Sequence, residues 1–243
     1  RKVRNAFVAE TRDSLLFAAD YSQIELRVLA HLSQDPGLLS AFHNGEDIHS
    51  STASLMFDVD ITKVDSEMRR IAKVLNFGVI YGLSAHGITQ QTGFSREEGN
   101  NFIKTYFSKY PGIQNYLEEI KTFARDNGYV QTLMGRRRYV PDIHSSNFNV
   151  RSAAERISIN MPIQGTAADI MKLAMINVFN SLQGSTLESK ILMQVHDELV
   201  FEVPIQEIEP LKSIVVAEMP NAMNLDVDLI VETKQGPSWG DME

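Results

Sequence analysis

Two acids stand at the lips of apolar runs far apart in the chain. Asp20 ends the run Leu15, Leu16, Phe17, Ala18, Ala19, which has the length and composition of a buried strand. Asp197 lies in His196-Asp197-Glu198, a tight turn between the apolar runs ILMQV and LVFEV. An acid at the end of a buried strand is a fixed negative charge. Two such acids brought together repel unless a divalent cation neutralises them, and Mg²⁺ takes one or two carboxylates plus substrate phosphate oxygens. Between them, Arg69, Lys73, Phe77 and Tyr81 recur at every fourth residue. Each step of four drifts about 40° around a helix, so all four share one broad face. Two cations one turn apart suit a polyphosphate, and the flat rings beyond suit a base and a sugar. Jointly these parts match two-metal phosphoryl transfer. Singly, each has a plainer reading: Asp20 as a helix cap, the cationic face as solvated surface, the acidic turn as an ordinary turn.

These residues need elements to hold them. The sequence predicts short strands over 1–10 and 14–20, then a helix opened by a capping box between Ser22 and Glu25 and ended by Asp35-Pro36-Gly37. A further helix is capped by Asp47 and carries His49, which the pattern alone reads as a surface or capping residue. Asp65 or Ser66 caps the helix that runs through Tyr81 and closes at Gly82. Ile71, Leu75 and Val79 give that helix a separate apolar stripe for the core. Residues 83–93 read as turn-rich, and Ser95 with Glu98 forms another capping box. Residues 129–139 read as a hairpin with Met134-Gly135 in its turn, followed by Arg136, Arg137 and Arg138. A helical region over 150–182, broken at Pro162, carries Arg156, Asn160 and Gln164 in a polar row. The strands 190–195 and 199–203, a helix over 204–219 and an alternating strand over 225–233 complete the chain.

At 43% hydrophobic and 22% charged residues, the 243-residue chain reads as an ordinary globular protein able to bury a proper core. No apolar run approaches the roughly 18 residues of a membrane span. The absence of cysteine excludes disulfides, thiolate ligands and a cysteine nucleophile within the chain, and fits a reducing interior. A net charge of −8 would argue against nucleic acid, but the acidity is local. From His196 onward eleven acids face two bases, leaving twenty acids against twenty-one bases before it. The chain opens on Arg1, and the expectation is a part of a longer protein.

The stretch DYSQIELR at 20–27 resembles the first polymerase motif of family A DNA polymerases, the DNA polymerase I type. Arg69-x3-Lys73-x3-Phe77-x3-Tyr81-Gly82 resembles the second motif, and Gln194-Val195-His196-Asp197-Glu198 the third. They occur in the family's order, and the similarity runs along essentially the whole chain. The resemblance implies that Asp20 and Asp197 bind two Mg²⁺ ions, for which Mn²⁺ can substitute, with the Tyr21 backbone carbonyl completing one site and Glu198 as an accessory acid. It implies that Arg69, Lys73 and His49 hold the triphosphate and that Lys73 protonates the leaving pyrophosphate. Phe77 would stack on the incoming nucleotide, as a Phe that discriminates against sugars lacking the 3′-hydroxyl. Tyr81 would sit by the templating position. Glu25 would press on the 2′ side of the sugar and exclude ribonucleotides, with Gln23 lining the same pocket. Arg156, Asn160, Gln164 and His196 would contact primer and template in the minor groove.

The expected fold is α+β, with a small antiparallel palm sheet flanked by helices and a mainly helical fingers insertion. The expected division is palm over 1–40, fingers over 41–150 and palm again over 151–243. The family's remaining palm, its thumb and any nuclease domains are not in this sequence. The expected activity is template-directed DNA synthesis from deoxynucleoside triphosphates on primer–template DNA, by a cytoplasmic monomer without membrane association. Two rivals are a single-subunit, phage-type RNA polymerase, opposed by Glu25, and a non-catalytic DNA-binding module that keeps the fold.

Overall fold

The apolar run before Asp20 becomes a central strand of a four-stranded antiparallel sheet. Four consecutive residues, Leu16 to Ala19, are buried, so both faces of this strand are covered. The computed structural model describes residues 3–80, 82 and 85–242, with backbone only at 79, 80, 85 and 86. The first strand is β1 (Ser14–Tyr21), followed by α1 (Ile24–Ser33), α2 (Pro36–His43), α3 (Ile48–Phe57) and α4 (Ser66–Ile80). Then come α5 (Ala85–Thr92), α6 (Arg96–Lys109), α7 (Pro111–Asn127), β2 (Tyr129–Gln131) and β3 (Arg137–Tyr139). The chain continues with α8 (Phe148–Gln183), β4 (Lys190–Val195), β5 (Glu198–Pro204), α9 (Ile208–Glu218) and β6 (Val231–Gly236). A small antiparallel sheet among many helices is the expected α+β class.

Contacts divide the chain into two units, one of residues 1–24 and 167–243, the other of residues 25–166. In the first, the strand order is β4-β5-β1-β6. Phe17 and Phe201 face each other in register, edge to face with centroids 6.0 Å apart, a cross-strand pair at the centre of the core. In the second, α3 packs on α4, and Ala124, Val130, Val140, Ile143 and Ala154 form a buried cluster around the β2–β3 hairpin.

Several local expectations change. Residues 3–10 form no strand: a 3-10 turn spans Arg4–Ala6 and one lone bridge joins Val8 to Ser238. Helix α1 begins at Ile24, after Gln23 at φ 56°, and the Ser22 amide is not given to Glu25 as the expected capping box would have it. The Ser22 amide instead donates to the Ile230 carbonyl at 2.8 Å, holding that residue to the sheet. Residues 85–92 form a helix rather than turns. Pro162 lies inside an unbroken 36-residue helix. The lost ladder bond is outweighed by burial on both sides of it, from Ala154, Ile159 and Ile163 to Ile170, Met171 and Val178. Finally, the alternation at 225–230 is one of burial without pairing. Val227 and Leu229 are buried, but the ladder opposite β1 starts only at Val231.

Candidate active site

The sheet register brings the acids together. Asp20 lies directly opposite Glu198 on β5 and directly opposite Glu232 on β6. Paired residues on antiparallel strands point to the same face, so three carboxylates form one row across the sheet. Asp197 joins them from the two-residue β4–β5 turn, in which His196 takes φ 57°. The Tyr21 amide donates to the Asp197 carbonyl at 3.1 Å, tying that turn to the end of β1. All four acids line one cavity of 310 Å³, together with His196, Lys234, Arg4 and Trp239. Burial, then the charges of Asp197, Glu198 and Glu232, push the Asp20 carboxyl from its ordinary 3.8 up to about 6, with Lys234 pulling the other way. The Trp239 indole N–H donates to Glu198 Oε1 at 3.3 Å, and the Arg4 guanidinium lies over the same ring. The scaffold is less buried than its sequence implies on one side: β4 is an edge strand, and Leu192 is exposed. Among the described residues, no three His, Asp or Glu side chains cage a metal ion unaided.

In the helical unit, α3 and α4 assemble a second group. Asp47 caps α3, accepting from the Ser50 amide at 2.7 Å, and takes a bidentate pair from Arg69 at 2.7 and 3.1 Å. Burial alone would raise Asp47, but the bonds from Arg69 and Ser50 outweigh it and bring its pKa down to about 2. Asp65 caps α4 through the Met68 amide. Arg69 and Lys73 are exposed and Phe77 is half-buried. His49 is buried rather than superficial; its ring meets that of Phe77 at 5.6 Å between centroids. Burial pushes the His49 imidazole down to about 4, against Asp47 and with Arg69 and Lys73. Tyr81 lies outside the described residues.

Gly82 takes φ 63°, and a Cβ there would lie 2.8 Å from the Arg156 side chain, so glycine is required twice over. The same closeness puts Arg156 beside the end of α4. On α8, Arg156 and Gln164 are exposed, whereas Asn160 is half-buried and its Oδ1 has no hydrogen-bond partner in the structure. Gln23 and Glu25 are half-buried, on either side of the start of α1.

Residues 1–241 match DNA polymerase family A. The chain belongs to this family. It is 53% identical over 237 residues to DNA polymerase I of Caldicellulosiruptor bescii, covering 98% of this chain and 28% of that protein. It is 51% identical over 241 residues to DNA polymerase I of Bacillus subtilis, covering 99% of this chain and 27% of that protein. Among solved structures it matches the POL domain of Pol1 from M. smegmatis, in complex with DNA primer-template and dNTP. That match has a TM-score of 0.95 at 48% identity, covering 99% of this chain and 42% of the other. The chain thus spans just over a quarter of the length of these curated relatives.

Within this family A chain, sequence reasoning missed four residues around the acids: Arg4, Glu232, Lys234 and Trp239. Glu232 sits in an alternating segment and reads as an outward polar residue. Only the pairing of strands more than two hundred residues apart sets it against Asp20. Trp239 carries a weak signal, as the single tryptophan in a Gly-Pro-Ser-Trp-Gly segment.

Proposed function

We propose that this chain is the nucleotidyl-transfer part of a DNA polymerase, acting in DNA replication or repair. It joins a deoxynucleoside triphosphate to a primer 3′-hydroxyl under the direction of a template. The observation that carries the reading is the row of Glu198, Asp20 and Glu232, with Asp197 beside it, around one cavity. Among the described residues lining the cavity, Lys234 and Arg4 are the cations set against these four acids, and burial together with the neighbouring carboxylates still holds the Asp20 pKa up. Two carboxylates that leave coordination to substrate oxygens suit Mg²⁺, and family A DNA polymerases are generally metal-dependent.

Asp20, Asp197 and the Tyr21 carbonyl would hold two Mg²⁺ ions, or Mn²⁺ in their place. Once bound, these supply neutralisation at the attacking and leaving oxygens. Everything else is the work of the chain's own groups. Arg69, Lys73 and His49 bind the triphosphate, and Lys73 gives its proton to the departing pyrophosphate. Phe77 stacks on the nucleotide and Tyr81 flanks the template base. Glu25 and Gln23 shape the pocket against a 2′-hydroxyl. Arg156, Asn160, Gln164 and His196 touch primer and template, and Glu198 is an accessory acid. The sheet unit is the palm and the helical unit is largely fingers, working as a monomer inside the cell, with the DNA.

Primer extension with labelled primer–template, dNTPs and Mg²⁺ tests this, using the chain and a longer protein that contains it. Extension by the longer protein that Asp20→Ala abolishes is the expected result. Normal extension by that variant would overturn the catalytic reading.

A further inference from the structure

His49 is joined to a buried polar chain that none of the roles above uses. Its Nδ1 lies 3.1 Å from Asn76 Nδ2, an amide nitrogen that can only donate. The same nitrogen lies 3.1 Å from Thr52 Oγ1, and that hydroxyl lies 3.2 Å from Asn76 Oδ1 and 3.1 Å from the Tyr110 hydroxyl. The four side chains come from α3, α4 and the end of α6, and none is more than 3% exposed. Asn76, Thr52 and Tyr110 are shut off from water, so each donor among them must keep its acceptor. With the Asn76 amide oriented as it is, its hydrogens go to Thr52 and to His49, and Nδ1 presents a lone pair. The ring's proton then sits on Nε2.

We infer, on the basis of the function proposed above, that Asn76, held by Thr52 and Tyr110, is a positioning residue that fixes His49 as its neutral Nε2–H tautomer, so that the ring meets a polyphosphate as a directed donor and not as a cation. The charged groups facing His49 are Asp47 from the α3 cap and Arg69 and Lys73 from α4, and Tyr110 is linked to it through Thr52. Two cations already serve this face. A third would repel them before any nucleotide arrived, whereas an N–H adds direction without charge. The Phe77 ring restrains the imidazole from the side.

The ¹⁵N shifts of the His49 ring, assigned with His49→Gln, test this directly. The Nε2–H pattern is expected, unchanged between about pH 5 and 8, where an ordinary histidine titrates. An Nδ1–H pattern would overturn the inference. In Asn76→Asp the carboxylate accepts from Nδ1, so the tautomer should invert and the ring should titrate at higher pH; a ring unchanged from wild type would also overturn it. If that variant lacks a native circular dichroism spectrum, Thr52→Val removes the acceptor of the second amide hydrogen. A mixture of tautomers is expected there, and a pure Nε2–H ring would count against the link. Titration with dATP and Mg²⁺ separates the two readings. Movement of the Nε2–H resonance supports both. The expected tautomer with no response to dATP would overturn the polyphosphate role and leave the network standing.

Discussion

Replacing Asp20 by Asn should make this protein more stable while abolishing the nucleotidyl transfer proposed for it. A carboxyl raised from 3.8 to about 6 in the folded state binds its proton more tightly there than in the unfolded chain. Stability therefore rises as pH falls from 6 towards 3.8, and above 6 the folded protein carries the full penalty. At about 1.36 kcal/mol per unit the ceiling is about 3 kcal/mol. Asp20 is exposed to the cavity, so solvent screening cuts this to about 1 kcal/mol. Urea unfolding in EDTA should show Asp20→Asn about 1 kcal/mol more stable than wild type at pH 7.5. The gain should shrink through the window from 6 to 3.8 and fade in high salt. Equal stability of the two proteins at pH 7.5, or a gain independent of pH, would refute the claim that burial and the neighbouring carboxylates together penalise the Asp20 charge.

The same repulsion predicts that adding Mg²⁺ at pH 7.5 raises the melting temperature of wild type and not of Asp20→Asn, as read by calorimetry. Tyr21→Phe should cost about 1–2 kcal/mol in urea unfolding, because the buried Tyr21 hydroxyl donates to the Met219 carbonyl at 2.6 Å and that acceptor would lose its partner. Asp47→Asn keeps a good helix cap and should cost under about 0.5 kcal/mol, whereas Asp47→Ala loses the cap and should cost about 1 kcal/mol. Glu25→Ala should raise ribonucleotide incorporation at least several-fold in single-nucleotide extension; unchanged sugar choice would count against its place at the 2′ side.

What was legible in the sequence was local. Asp47, Asp65 and the Ser95–Glu98 box cap the helices they were expected to cap, because a cap is decided within three or four residues. The 129–139 hairpin and the acid at the end of β1 follow from equally short patterns. What was not legible depended on partners. Ser22 has the sequence of a capping box, but the Ile230 carbonyl, just ahead of β6, takes its amide. Pro162 should end a helix, but burial along α8 outweighs one missing bond. His49 looks superficial from its neighbours in sequence, but it is buried, with Phe77 and Asn76 of α4 against its ring. Glu232 enters the acid row through register alone.

The two groups of charges are held in different ways, and this decides how each can respond to a substrate. The acids of the sheet cannot move apart, because the pairing of Asp20 with Glu198 and Glu232 is a property of the backbone ladder. Lys234 relieves part of their repulsion, and a proton or a cation that arrives can relieve the rest. Arg69 is held by a side-chain pair on an exposed surface, which is worth at most about 1 kcal/mol. A polyphosphate can take Arg69 from Asp47 at that small cost, and Asp47 still has the Ser50 amide to satisfy it and keep α3 capped. His49 needs no such exchange, because burial already keeps it neutral. The acid row and the α4 cations thus respond to charge in different ways: the first gains from a proton or a cation, and the second exchanges one anion for another.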